Sequence, residues 1–323
     1  MLLTGQTIHN RYHILGPLGQ GGMGAVYLAE DHSLGRRCAI KENVPDSKAS
    51  SEALAQMRQQ FQAEASILAK LDHPNLPKVH DFFSVGGNEY IVMEYVEGEN
   101  LHSLQERQGR PLQEQMVLAW ADQILDALAY LHGQQPHPII HRDIKPANII
   151  LTPQGKISLV DFGLVKLLDP SNPRTATVMK GMGTAEYAPL EQYAGGAGHT
   201  DARTDIYSLG GTLYHLLTGE SPLDVHQRLL DPGQMPSPRQ LNPLLSVSTD
   251  AALMKALEIH PNQRFSSAIA MRDAMKRMPN QSSSVVSPMA TENTESPGFS
   301  LVLPLLILGT PLVILLLLGQ CAS

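Results

Sequence analysis

An aspartate, a lysine and an asparagine stand close together in the run His141-Arg142-Asp143-Ile144-Lys145-Pro146-Ala147-Asn148, and Asp161-Phe162-Gly163 begins thirteen residues after its last member. Such a set offers a carboxylate to receive a proton, a lysine to sit near moving charge, and two oxygen ligands for magnesium. Transfer of a phosphoryl group from ATP to a hydroxyl requires these parts, because its transition state spreads charge over oxygens and is stabilised mainly by positioning and electrostatics.

Two runs upstream could handle phosphates. Gly19-Gln20-Gly21-Gly22-Met23-Gly24-Ala25-Val26 lies between two predicted strands, a context that separates it from the strand-to-helix turn of dinucleotide-binding folds. Its glycines let the backbone approach phosphates and present N–H donors to them. Taken alone it reads as a glycine-rich hairpin. Cys38-Ala39-Ile40-Lys41 places a lysine on the next strand, and taken alone Lys41 reads as a solvated strand lysine.

In their order, spacing and completeness, these runs resemble the protein kinases, and more closely the bacterial membrane-anchored serine/threonine kinases of eukaryotic (Hanks) type, over about Arg11 to Met278. The resemblance implies an α+β, bilobal fold, with a small β-rich N-lobe carrying one helix and a larger α-helical C-lobe. It implies ATP and Mg2+ as cofactors and protein Ser/Thr hydroxyls as acceptors. Asp143 would accept or orient the acceptor proton, Lys145 would neutralise charge on the γ-phosphate, and Asn148 and Asp161 would hold metal. Lys41 would grip the α- and β-phosphates, oriented by Glu64 on the following helix.

The same resemblance implies a nucleotide pocket covered by Leu18, Gly19, Gly21 and Gly24, with Val26, Ala39 and Ile150 sandwiching the base. Backbone groups near Glu94 and Val96 would hydrogen-bond adenine, and Met93 would border the back of the pocket. Cys38 stands where valine is more usual. Lys145-Pro146 and the substrate-facing Thr184 favour serine or threonine over tyrosine as acceptor. Arg142 would bind a phosphate on the activation loop, for which Thr175 and Thr177 are candidate acceptors, with Ser171 behind them. Pro189-Leu190-Glu191 departs from the family's Ala-Pro-Glu but keeps a glutamate that can pair with Arg264. Asp205 would brace the catalytic loop from below.

The elements that must position these residues follow from periodicity. Short β-type runs such as Tyr90-Ile91-Val92-Met93 fill residues 11–96, with one helix over about 51–70 whose apolar stripe is Phe61, Ala65, Leu68 and Ala69. Longer helical patterns follow at 112–132, 204–218, 250–257 and 266–278 within a C-lobe of 97–278. Residues 1–10 read as a lead-in to the domain, 11–278.

Residues 279–298 are rich in Ser, Pro, Thr, Asn and Glu and read as a flexible linker with a reach of roughly 25 Å. From Phe299 to Leu318 no charge occurs, and as a helix this stretch would span about 30 Å, the thickness of a bilayer core. A transmembrane helix is therefore expected over 299–319 with a tail of 320–323, the alternatives being an apolar helix docked on the lobes or a re-entrant hairpin around Gly309-Thr310-Pro311. Because ATP is cytosolic, the expected arrangement is a single-pass protein of the cell membrane with a cytoplasmic kinase domain and no outside sensor after Gly319.

A net charge of −7 without dense basic runs argues against a nucleic-acid partner. Cys38 and Cys321, at opposite ends, form neither a disulfide framework nor a zinc motif. A homodimer for autophosphorylation is compatible with this reading. The competing readings are a catalytically silent kinase-like membrane scaffold and a small-molecule kinase of related fold.

Overall fold

The computed structural model describes residues 1–21, 24–44, 50–136, 138–161, 185–193, 200–231 and 233–276. The expected linker and membrane segment lie outside the described residues. Among the described residues, no helix is long and apolar enough to cross a membrane.

The N-lobe is a six-stranded antiparallel sheet: β1 (Thr7–Ile8), β2 (Tyr12–Gly21), β3 (Gly24–Asp31), β4 (Arg36–Asn43), β5 (Val79–Val85) and β6 (Asn88–Glu94), in the order β1-β2-β3-β4-β6-β5. In β3 the inward residues alternate as Ala25, Tyr27, Ala29 and Asp31. The same period on β4 buries Glu42 and turns Lys41 to the opposite face, toward the C-lobe. Glu42 tolerates burial because it accepts hydrogen bonds from Tyr27 Oη, Tyr90 Oη and Asn88 Nδ2, each at 2.9 Å. Burial pushes the Tyr90 phenol up to about 12, so it remains a donor at neutral pH. The lead-in is part of this sheet: Thr7 and Ile8 pair with His13 and Tyr12, and Ile8 is buried.

Helix α1 (Ser51–Leu68) buries Ala65 and Leu68, with Phe61 half-buried. Ala69, expected on the same stripe, lies past the helix end and is exposed.

The strand pair β7 (Glu99–Asn100) and helix α2 (Leu101–Gln108) lead into α3 (Glu114–His132), and β8 (Ile149–Leu151) and β9 (Ile157–Leu159) complete a three-stranded sheet with β7. Gly98 makes the crossing possible. Its φ is 155°, and a Cβ there would stand 2.3 Å from Leu151 O. The remaining helices are α4 (Ala202–Thr218), α5 (Val225–Leu230), α6 (Pro238–Leu241), α7 (Val247–Ala256) and α8 (Ala268–Lys276).

Four helix starts differ from periodicity alone; α8 begins at Ala268 rather than 266, and polar contacts account for the other three. Leu112 precedes α3 because its N–H donates to Leu216 O, at 2.9 Å. Asp201 caps α4 through Arg203 N, at 2.8 Å, so the helix begins at Ala202, two residues ahead of the expected start. Ser246 caps α7 through Thr249 N, at 3.2 Å. Each is a polar contact that an apolar pattern does not record.

Helix α4 is the axis of the C-lobe, buried over nearly its whole length, Thr204, Asp205, Ser208 and Thr212 included. An interior helix ordinarily excludes such residues, so their partners indicate what it serves. Thr212 Oγ1 donates to Ile144 O at 3.3 Å, and Asp205 accepts from the backbone of residues 141 and 142. Both hold the segment between α3 and β8.

Candidate active site

The segment joining α3 to β8 carries Asp143, Lys145 and Asn148, and Asp205 fixes where it runs. This fully buried carboxylate accepts His141 N at 2.9 Å and Arg142 N at 2.8 Å, and bonds His132 Nε2 at 2.8 Å. Burial pushes its carboxyl up, but the hydrogen bonds from His132 and the Arg142 N–H outweigh it, holding the group below the ordinary carboxylate value. Arg142 adopts φ 67°, a left-handed conformation costly for a side-chain-bearing residue. The paired N–H bonds to Asp205 hold it there. Burial pushes the His141 imidazole down, keeping it neutral, and its Nδ1 lies 3.4 Å from Asp143 N.

Asp143 then projects as the centre of a small cluster. Lys145 Nζ stands 3.0 and 2.9 Å from its two carboxylate oxygens, and Asn148 Nδ2 donates at 2.8 Å both to Asp143 O and to its Oδ2. With its amide nitrogen so committed, Asn148 keeps Oδ1 as a metal-ligating acceptor. The hairpin β8–β9 brings Asp161 beside it, through Val160 N to Asn148 O at 2.9 Å. Asn75 ties the hairpin down, donating to Ile157 O at 2.6 Å and accepting from Leu159 N at 2.8 Å. Asp161 also takes a left-handed φ, 63°, and its Oδ1 bonds Lys41 Nζ from the N-lobe. Burial pushes the Asp161 carboxyl up, and the Lys41 charge and hydrogen bond more than reverse this, leaving it ionised.

Between the lobes lies a cleft of about 290 Å³. Leu18, Gly19, Val26, Ala39 and Lys41 line it from the sheet, Glu94 and Val96 from the lobe connection, and Asn148, Ile150 and Asp161 from below, with Met93 also in its wall. Gly21 and Gly24 pair across the β2–β3 turn, where Gly24 has φ 143° and a Cβ would stand 1.8 Å from Glu42 O. Gly22 and Met23 lie outside the described residues, as does the side chain of Glu64, so its expected pairing with Lys41 does too. Phe162, Gly163, Ser171, Thr175, Thr177 and Thr184 also lie outside the described residues.

Sequence reading missed Pro77, Asn100 and Val160 in the wall of the cleft. Asn100 carried a signal, an asparagine at a helix start, where its Oδ1 accepts Ser103 N at 2.8 Å. Val160 adjoins Asp161, whereas nothing local marks Pro77.

The chemistry of the donor set fits magnesium: Asn148 Oδ1 and the ionised Asp161 are hard oxygen ligands on one wall of the cleft. No cluster of three or more His, Cys, Asp or Glu residues suited to a metal occurs among the described residues. Any magnesium held here would therefore take further oxygens from nucleotide phosphates and water.

Below the cleft, Glu191 and Arg264 form the ion pair the sequence suggests, at 2.6 and 3.1 Å, with the Arg264 side chain fully buried. Arg264 also donates to Arg203 O, Glu258 O and Ile259 O. Gln192 Nε2 donates to Arg142 O at 2.8 Å, joining this anchor to the catalytic segment.

A model of the protein kinase domain matches residues 12–277. The chain belongs to the protein kinase family, and its catalytic domain is of the bacterial serine/threonine type. It is 36% identical over 281 residues to the serine/threonine-protein kinase PrkC of Bacillus subtilis (strain 168), covering 85% of this chain and 41% of that protein. To the serine/threonine-protein kinase PknA of Mycobacterium tuberculosis (strain ATCC 25618 / H37Rv) it is 35% identical over 293 residues, covering 86% and 65%. The crystal structure of the Mycobacterium tuberculosis PknI kinase domain superposes with a TM-score of 0.65 at 30% identity, over 85% of this chain and 99% of that one. The chain spans less than half the length of several curated relatives, 39% to 44%.

Because folding depresses the Asp205 pKa, its contribution to stability is present above the unfolded value of about 3.9 and is lost as pH falls through the folded one. Asp205→Asn leaves one backbone N–H without its acceptor and is expected to cost about 1–3 kcal/mol at pH 7. Urea unfolding should show the gap between wild type and variant narrowing below about pH 4. A gap that stays constant to pH 2 would contradict this assignment.

Proposed function

We propose that this chain is an active protein kinase that transfers the ATP γ-phosphate to serine and threonine hydroxyls of proteins. One observation carries the reading: Lys41, Asn148 and Asp161, from three separate segments, line the cleft together, and Asn148 is bonded to Asp143, which in turn pairs with Lys145. A silent scaffold would be expected to lack at least one of them.

ATP fits the cleft with its base between Val26, Ala39 and Ile150, hydrogen-bonded by the chain near Glu94 and Val96. Lys41 would then reach its phosphates, and the backbone at Leu18 and Gly19 in the cleft wall would lie over them. Asn148 and Asp161 would hold magnesium, which would supply Lewis-acid neutralisation of the phosphate charge. Asp143 orients the acceptor hydroxyl and receives its proton as the oxygen attacks the γ-phosphorus. Lys145, now paired with Asp143, balances charge on the transferring group.

Incubation of the full chain with magnesium, labelled ATP and a generic protein acceptor should place label on serine and threonine. Asp161→Asn should reduce it by at least 100-fold. Equal label in both, or none in either, would refute the kinase reading.

Autophosphorylation, with Thr175 and Thr177 as candidate acceptors and a homodimer as its vehicle, belongs to the same proposal. So does a location at the cell membrane, with the kinase domain cytoplasmic, on the strength of the uncharged run from Phe299 to Leu318. The full-length chain should stay in the pellet when membranes are washed at alkaline pH. Recovery in the supernatant would exclude an integral anchor.

A further inference from the structure

The peptide that joins Arg142 to Asp143 is gripped at both ends. Its nitrogen lies 3.4 Å from His141 Nδ1, and its carbonyl oxygen accepts Gln192 Nε2 at 2.8 Å, across 50 positions of sequence. The preceding peptide is held separately, through Arg142 N to Asp205 Oδ1 at 2.8 Å. We propose that Gln192 is a positioning residue for phosphoryl transfer, and that by holding this carbonyl it sets the direction in which Asp143 meets the acceptor hydroxyl. The proposal rests on the kinase reading above.

Backbone geometry explains why such a hold is needed. Arg142 has φ 67°, a conformation that persists in a side-chain-bearing residue only where the surroundings over-determine it. Asp205 fixes the peptide on the N-terminal side of the Arg142 Cα. That bond leaves free the rotation about Cα–C, which turns the peptide carrying Asp143. Gln192 restrains this second rotation, because turning the peptide over would swing its oxygen out of hydrogen-bond reach of Nε2. Lys145 and Asn148 also bond Asp143, but they belong to its own short segment, whereas Gln192 ties that segment to a different part of the lobe.

Gln192 is itself firmly placed. It closes the short turn Leu190–Gln192, in which its N–H donates to Pro189 O at 3.0 Å. Its neighbour Glu191 is locked by the buried Arg264 and also accepts Thr204 Oγ1 at 3.1 Å. A half-buried amide on so fixed a base gives up little further freedom in making its bond. Neither Gln192 nor Arg142 lines the nucleotide cleft, so the hold acts on the acceptor side of the reaction and not on ATP. One such neutral hydrogen bond, expressed wholly in the transition state, corresponds to roughly 3- to 10-fold in rate.

The test compares the full chain with Gln192→Met, which keeps the length of the side chain and loses the donor, and with Gln192→Glu, whose carboxylate can only accept and so turns oxygen toward the Arg142 carbonyl. Single-turnover transfer to a generic protein acceptor is followed with magnesium and labelled ATP, per molecule competent to bind Mg·ATP. Both variants should transfer at least about threefold more slowly than wild type, with Mg·ATP affinity within about twofold of it. A general loosening of the lobe would weaken nucleotide binding together with the rate. A slowing of less than about threefold in either variant would overturn the proposal, as would a Mg·ATP affinity outside that range. A wild-type chain that labels no acceptor would bring down the kinase reading itself, and this proposal with it.

Discussion

One buried carboxylate organises the catalytic half of this molecule. Asp205 sits on a helix sequestered in the C-lobe and would be costly there as an isolated charge, on the order of several kcal/mol. Its cost is offset by His132 and by the N–H groups of His141 and Arg142, and those two bonds hold the chain in a left-handed turn it would not otherwise keep. Asp143, Lys145 and Asn148 follow directly from that turn, so their geometry is inherited from α4 and not from their own short segment. Thr212, one face along the same helix, fixes Ile144 between them.

The second constraint is electrostatic and joins the lobes. Lys41 arrives from a β-strand whose neighbouring residue, Glu42, is buried on the other face, and Asp161 arrives from a hairpin tied by Asn75. Their contact keeps the carboxylate ionised beside Asn148, on the wall where phosphates would lie. Strain at Asp161 and Arg142 falls at the two points where backbone must aim a functional side chain, and nowhere else in the described part of the C-lobe does a non-glycine residue take a positive φ.

Much of this was legible in the sequence because the chemistry is local: Asp143, Lys145 and Asn148 lie within one short segment, and Asp161 follows after a hairpin's length. Period-two and period-3.6 patterns gave the sheet, its helix and the long helices of the C-lobe. The Glu191–Arg264 pair was readable only through the family resemblance. What stayed hidden depends on polar contacts between distant segments. The burial of Glu42 relies on donors 15 to 48 positions away, the Asn75 tether reaches 82 positions, and Arg142 meets Thr200 across 58. Helix starts at Asp201 and Ser246 were missed for a related reason, since a cap is a single hydrogen bond and leaves no periodic trace.

The central claim is a division of labour, in which Asp143 serves the acceptor hydroxyl while Lys41, Asn148 and Asp161 serve the nucleotide. It is tested most directly by measuring Mg·ATP affinity and phosphoryl-transfer rate side by side in wild type and Asp143→Asn. The account predicts an affinity within about threefold of wild type and a rate lowered by roughly 10² to 10⁴. A rate near wild type, or a loss of nucleotide binding that matches the loss of rate, would contradict it.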